Sequence, residues 1–133
     1  MDDALLFPAL ATLIALGVYF SQSFFVSQAR KKYGIHAPAT TGNEDFERVF
    51  RVHYNTLENL PIFLISLWLF ALLVSPMIAG WLGILWSIGR IGYMYGYYKA
   101  AKNRHSYGSA ISFLAVVPLF LGSLWAIVTG LLR

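Results

Sequence analysis

Four apolar blocks separated by short polar connections account for nearly the whole chain. The first, from Leu5 to Val26, carries no charge and is long enough to cross a ~30 Å hydrocarbon core. Pro8 lies in its first turn, where a missing N–H is harmless, and Arg30, Lys31 and Lys32 close it, giving a predicted span of 5–28. A polar connection from Tyr33 to Thr40 follows. Thr41-Gly42-Asn43-Glu44 then fits a capping box, with Thr41 or Asn43 as N-cap, and Glu44, Asp45 and Glu47 suit the positive end of a helix dipole. The second helix is predicted over 44–74, about 46 Å in length. That exceeds the bilayer, so its polar first half projects on one side, and Pro61 predicts a kink where the helix enters. Val74-Ser75-Pro76-Met77 is an uncharged turn. The third helix is predicted over 78–102, with Gly80, Gly83, Gly89, Gly92 and Gly96 allowing close approach of its neighbours. Asn103 to Ser106 form a short loop, and the fourth span covers 107–132, with a predicted kink at Pro118.

Two polar stripes interrupt this pattern. Arg48, Arg51, Asn55 and Glu58 fall within roughly 80° of one another on the second helix, at its entry to the membrane. Arg90, Tyr93, Tyr97 and Arg104 fall within roughly 60° on the third. Ionisable groups are costly at such positions and mark functional sites. Arg90 needs a counter-charge, and Glu58 is the natural partner, since the other acids cluster at the chain start and in the first loop. Facing each other, the stripes would enclose a polar cleft of arginines, tyrosine hydroxyls and one or two carboxylates under an apolar wall. Arginine forks suit carboxylates, and Glu58 with Asn55 suits an ammonium and amides, so a small zwitterionic peptide fits.

Composition agrees with a membrane protein. Of 133 residues 58% are hydrophobic and 12% charged, against about 45–50% and 25% in soluble domains. The length allows one domain, 1–133. With no cysteine, the chain has no disulfide framework and no nucleophilic thiol, so sulfur chemistry must use a thiol brought in as substrate. The acidic start, Met1-Asp2-Asp3, differs from a secretory signal. Basic residues gather in the first and third connections, which the positive-inside rule places in the cytoplasm, with both termini opposite. The net charge of +4 flanks apolar segments and lines no single face, which gives no sign of nucleic acid as a partner. No His/Asp/Glu group has metal-ligand spacing, so no metal is expected. His36 and His105 read as solvated loop residues, and Trp68, Trp81, Trp86 and Trp125 as packing or interface anchors.

The segment Phe46-Glu47-Arg48-Val49-Phe50-Arg51, with Asn55-Thr56-Leu57-Glu58 and Pro61, resembles the signature of the MAPEG family, the membrane-associated proteins in eicosanoid and glutathione metabolism. Gly89-Arg90, Tyr93, Gly96-Tyr97 and Ala100-Ala101-Lys102-Asn103-Arg104 resemble the third helix of its branch of microsomal glutathione transferases and leukotriene-forming synthase. The resemblance covers nearly the whole chain. It implies an all-α integral membrane bundle of four transmembrane helices, left-handed and up-down, assembled as a homotrimer with glutathione between subunits near the cytosolic face. It implies glutathione as co-substrate and a lipophilic electrophile or lipid hydroperoxide as the other partner, in a bacterial inner membrane or endoplasmic reticulum. Arg51, Asn55, Glu58, Tyr93 and Tyr97 would hold glutathione from one subunit, and Arg30 and Arg104 would reach in from the neighbour. Arg104 would be catalytic, stabilising the thiolate. His53, where the branch often has glutamine, joins the glutathione contacts. Asn59 replaces an aromatic residue and Lys31 an arginine tied to lipid epoxide handling, departures that bear on leukotriene synthesis more than on glutathione binding. A lipid-presenting scaffold of the same fold and a small channel subunit are the rival readings.

Overall fold

The computed structural model describes residues 2–100 and 107–133. A 3-10 turn (Asp3–Leu5) leads into four helices: α1 (Leu6–Tyr33), α2 (Glu44–Leu73), α3 (Pro76–Lys99) and α4 (Tyr107–Leu131). Each boundary has a local cause. α1 runs past its predicted end to Gly34, whose positive φ of 67° lets its N–H reach the carbonyl of Arg30. The Arg30, Lys31 and Lys32 cations thus lie in the last turn, beside the free carbonyls. α2 is capped by Asn43, whose side chain accepts from the Phe46 N–H at 3.0 Å. Its capping partner is Glu47, not the predicted Glu44: Glu47 Oε1 accepts from the Gly42 N–H at 3.0 Å. The helix continues unbroken through Pro61. α3 starts at Pro76, two residues before its predicted start, because Ser75 caps it and proline suits the first helical position. It ends at Lys99, short of the predicted Lys102, with Ala100 already extended.

The segments 3–33, α2 and α4 are long and apolar enough to cross a membrane. α3 is of similar length and carries Arg90 among its buried residues. It is the best-covered helix of the bundle: α2 and α3 each pack against all three other helices, and α1 and α4 flank them. Between these elements Phe63 lies flat on Trp86, with ring centroids 4.1 Å apart and planes at 1°. Ala11, Ala15, Leu67 and Leu119 close around that stack, all fully buried. Large apolar side chains such as Phe20, Ile65 and Trp125 face outward, as lipid requires.

Lipid leaves little hydrophobic drive between helices, so close packing must hold them together. α3 and α4 meet backbone to backbone. A Cβ on Gly108 would strike the amide nitrogen of Tyr93, and one on Gly89 would lie 2.6 Å from the amide nitrogen of Ser112. Ser112 Oγ donates to the Trp86 carbonyl at 3.1 Å across this contact. Further polar ties are the Trp68 Nε1 bond to Thr12 Oγ1 at 3.1 Å and the Ser123 Oγ bond to the Ser66 carbonyl at 3.4 Å. The glycine contact fixes which α4 residues stand beside Arg90 and Tyr93.

Candidate functional site

The two predicted stripes meet along the α2–α3 seam. Asn55 Nδ2 donates to the Tyr93 hydroxyl at 2.6 Å, and the Tyr93 and Tyr97 rings lie 5.6 Å apart, both buried. Two concavities open along this seam. A cleft of about 420 Å³ is lined by Asn55, Asn59 and Ile62 of α2, by Trp86, Arg90 and Tyr93 of α3, and by Ser109, Ser112, Phe113 and Val116 of α4. A second, of about 520 Å³, lies at the polar end of α2 and is lined by Thr40, Thr41, Glu44, Glu47, Arg48, Phe50, Arg51 and Tyr97. Of the predicted site residues, Asn55 and Tyr93 share the first and Arg51 and Tyr97 the second.

Other residues lie elsewhere. Glu58 is exposed, lines neither concavity and makes no ion pair with Arg90, contrary to the expected partnership. Arg90 instead lies against aromatic faces, its guanidinium carbon 5.2 Å from the Tyr93 ring centre and 5.4 Å from that of Trp86. His53 is on the opposite side of α2 from Asn55, as a two-residue step on a helix requires. It stacks on Tyr19 of α1 at 4.7 Å and 12°, with its Nε2 buried and without a hydrogen-bond partner among the described residues. Arg30 holds the α1–α2 connection: its Nη1 donates to the Ala39 carbonyl at 2.7 Å, and its guanidinium carbon lies 5.0 Å from the Phe46 ring centre. Arg48 donates to the Tyr98 carbonyl at 3.4 Å and pairs with Asp45, which makes it a fastener of the α2 start to the end of α3. Arg104, the predicted catalytic residue, lies outside the described residues, as does His105.

Sequence reasoning missed the α4 wall. Ser109 and Ser112 are three apart and Val116 four further, one face of a helix, and Gly108 heads that face. Trp86, read as a packing anchor, is that and also a cleft residue. Chemically the seam offers Arg51 as an exposed fork for a carboxylate, the Asn55–Tyr93 pair for an amide or ammonium, and Arg90 as a deep cation. Among the described residues the one ion pair is Arg48–Asp45, so Arg51 and Arg90 keep uncompensated charge.

The chain is similar to an uncharacterized protein of Synechocystis, at 52% identity over 91% of this chain and 90% of that protein. It is 41% identical to human microsomal glutathione S-transferase 2, over 77% of this chain and 72% of the relative. With rat leukotriene C4 synthase it shares 35% identity over 93% of this chain and 86% of the relative. The MAPEG family model matches residues 8–125. With helices long and apolar enough to cross a bilayer, and a family match over nearly its whole length, the chain is an integral membrane protein of the MAPEG family.

Proposed function

We propose that the protein is a membrane-bound glutathione transferase, with glutathione peroxidase activity toward lipid hydroperoxides. The observation that carries this reading is the joining of Arg51, Asn55, Tyr93 and Tyr97 along one seam, in a chain 41% identical to a microsomal glutathione S-transferase. In this reading Arg51 takes a carboxylate of glutathione, the Asn55–Tyr93 pair and Glu58 take its amide and ammonium groups, and Tyr97 closes the site. A homotrimer completes it. His53 and Arg30 are on the α1 side of their own chain, so a site at the seam can use them only from a neighbouring subunit.

Arg104 is the residue assigned to the thiolate. A guanidinium beside a thiol of pKa about 8.5 raises the thiolate fraction at neutral pH. The thiolate then attacks an electrophilic carbon of a lipophilic substrate, expelling its leaving group, or a peroxide oxygen, breaking the O–O bond to release the alcohol and leave a glutathione sulfenic acid that a second glutathione converts to the disulfide and water. Arg104→Ala should lower turnover with chlorodinitrobenzene by about 100-fold while changing the KM for glutathione much less. Wild-type turnover in that variant removes the thiolate assignment. A lipid-presenting scaffold of the same fold would show neither conjugation nor glutathione binding in detergent.

A further inference from the structure

The last turns of α1 border a hollow that has no lining residue in common with the two seam concavities. It is open, about 710 Å³ in volume, and lined by Phe24, Phe25, Gln28, Lys31 and Lys32 of α1 together with Tyr98 of α3. Phe24, Gln28 and both lysines are exposed. Phe25 meets Tyr98 edge to face, with ring centroids 6.4 Å apart, which gives the hollow an aromatic floor. Lys32 Nζ stands 5.2 Å from the Tyr33 ring centre at its rim. No carboxylate lines it, and among the described residues neither lysine makes an ion pair. The acids at the start of α2 are engaged elsewhere: Asp45 pairs with Arg48, Glu47 accepts from the Gly42 N–H, and Glu44 lines the Arg51 concavity.

Lysines in a last helical turn have a use of their own, since they complement the free carbonyls there. That use asks nothing of the phenyl rings beside them. From Phe24 to Lys32 the helix rises about 12 Å, enough to cross one headgroup layer of roughly 5–8 Å. Two cations thus stand at the polar end of the hollow and an exposed phenyl ring at its apolar end. Clustered lysines where a helix leaves the bilayer attract anionic headgroups. We propose that this hollow binds an anionic phospholipid of the surrounding membrane. Its phosphate lies between Lys31 and Lys32, the Gln28 amide donates to a phosphate or glycerol oxygen, and its first acyl methylenes cover Phe24 and Phe25. A soluble acidic peptide would match the lysines but leave Phe24 against water. The site goes beyond the transferase reading and does not depend on it.

The test is native mass spectrometry of the purified full chain in mild detergent, titrated separately with phosphatidylglycerol, phosphatidylcholine and glycerol 3-phosphate. Wild type should bind phosphatidylglycerol at least about tenfold more tightly than phosphatidylcholine. Lys32→Gln should lower the affinity for phosphatidylglycerol about fivefold. Replacing Lys31 and Lys32 together by glutamine should lower it about 25-fold, to the level of phosphatidylcholine, whose own binding should not change. Lys32→Gln alone decides the matter if the double variant does not fold. Arg133→Gln, which removes a cation at the opposite end of the bundle, should leave the preference intact. Equal affinity for the two lipids in wild type overturns the proposal, as does a preference that survives the lysine substitutions or falls equally in Arg133→Gln. Glycerol 3-phosphate bound as tightly as phosphatidylglycerol also overturns it, because the ligand would then be a soluble phosphate and the aromatic floor idle.

Discussion

Side-chain chemistry at the seam depends on few atoms. Asn55 and Tyr93 are 38 positions apart in the chain and share a 2.6 Å hydrogen bond, which sets the tyrosine hydroxyl against α2. Tyr93→Phe removes that bond and keeps the ring against Arg90 and Tyr97. It should raise the KM for glutathione about fivefold with kcat little changed, because the lost contact serves bound substrate as much as the transition state. An unchanged KM in steady-state kinetics would take the pair out of the binding site. The Arg51–Asn55 spacing and the Tyr93–Tyr97 spacing were legible in the chain itself, since helical periodicity puts each pair on one edge. The true surroundings of Arg90 were not. A guanidinium can settle against aromatic rings as well as a carboxylate, and periodicity cannot tell which rotamer or neighbour is nearer.

The helices themselves follow from local signals: Asn43 and Ser75 as caps, Pro76 at a first position, Gly34 with positive φ at an end. Asn43→Ala should lower stability by about 1 kcal/mol, read as a fall in Tm of the detergent-solubilised protein, since the Phe46 N–H loses its acceptor. Less legible was how the helices touch. Five glycines on α3 announced close packing, yet they do different work. A Cβ on Gly92 would meet nothing nearer than 3.5 Å, whereas one on Gly89 would lie 2.6 Å from the Ser112 amide nitrogen, and one on Gly108 of the facing α4 would collide with α3 backbone. Gly92→Ala should therefore be tolerated, helped by alanine's better helix propensity. Gly108→Ala should cost about 1–3 kcal/mol and push Ser109 and Ser112 away from Arg90. Equal thermal stability of the two variants would contradict the contact. The α4 wall was missed because serines in an apolar helix often bond to their own backbone, as Ser87 does to Gly83.

At the scale of the molecule, four helices and a membrane address were plain from hydropathy, and the family match over residues 8–125 agrees. Arg30 bonds to the first connection and His53 stacks on α1, both away from the Asn55–Tyr93 seam, so the proposed function needs a second copy to bring them to the site. A homotrimer should appear in native mass spectrometry from mild detergent, and dissociation to monomers should abolish conjugation. The central claim is that the seam binds glutathione and ionises it. Its most direct measurement is an ultraviolet difference titration of the purified protein with glutathione at neutral pH. A saturable thiolate absorbance that Arg104→Ala removes is expected, whereas a wild-type titration with no thiolate band at saturating glutathione would rule out an ionising site.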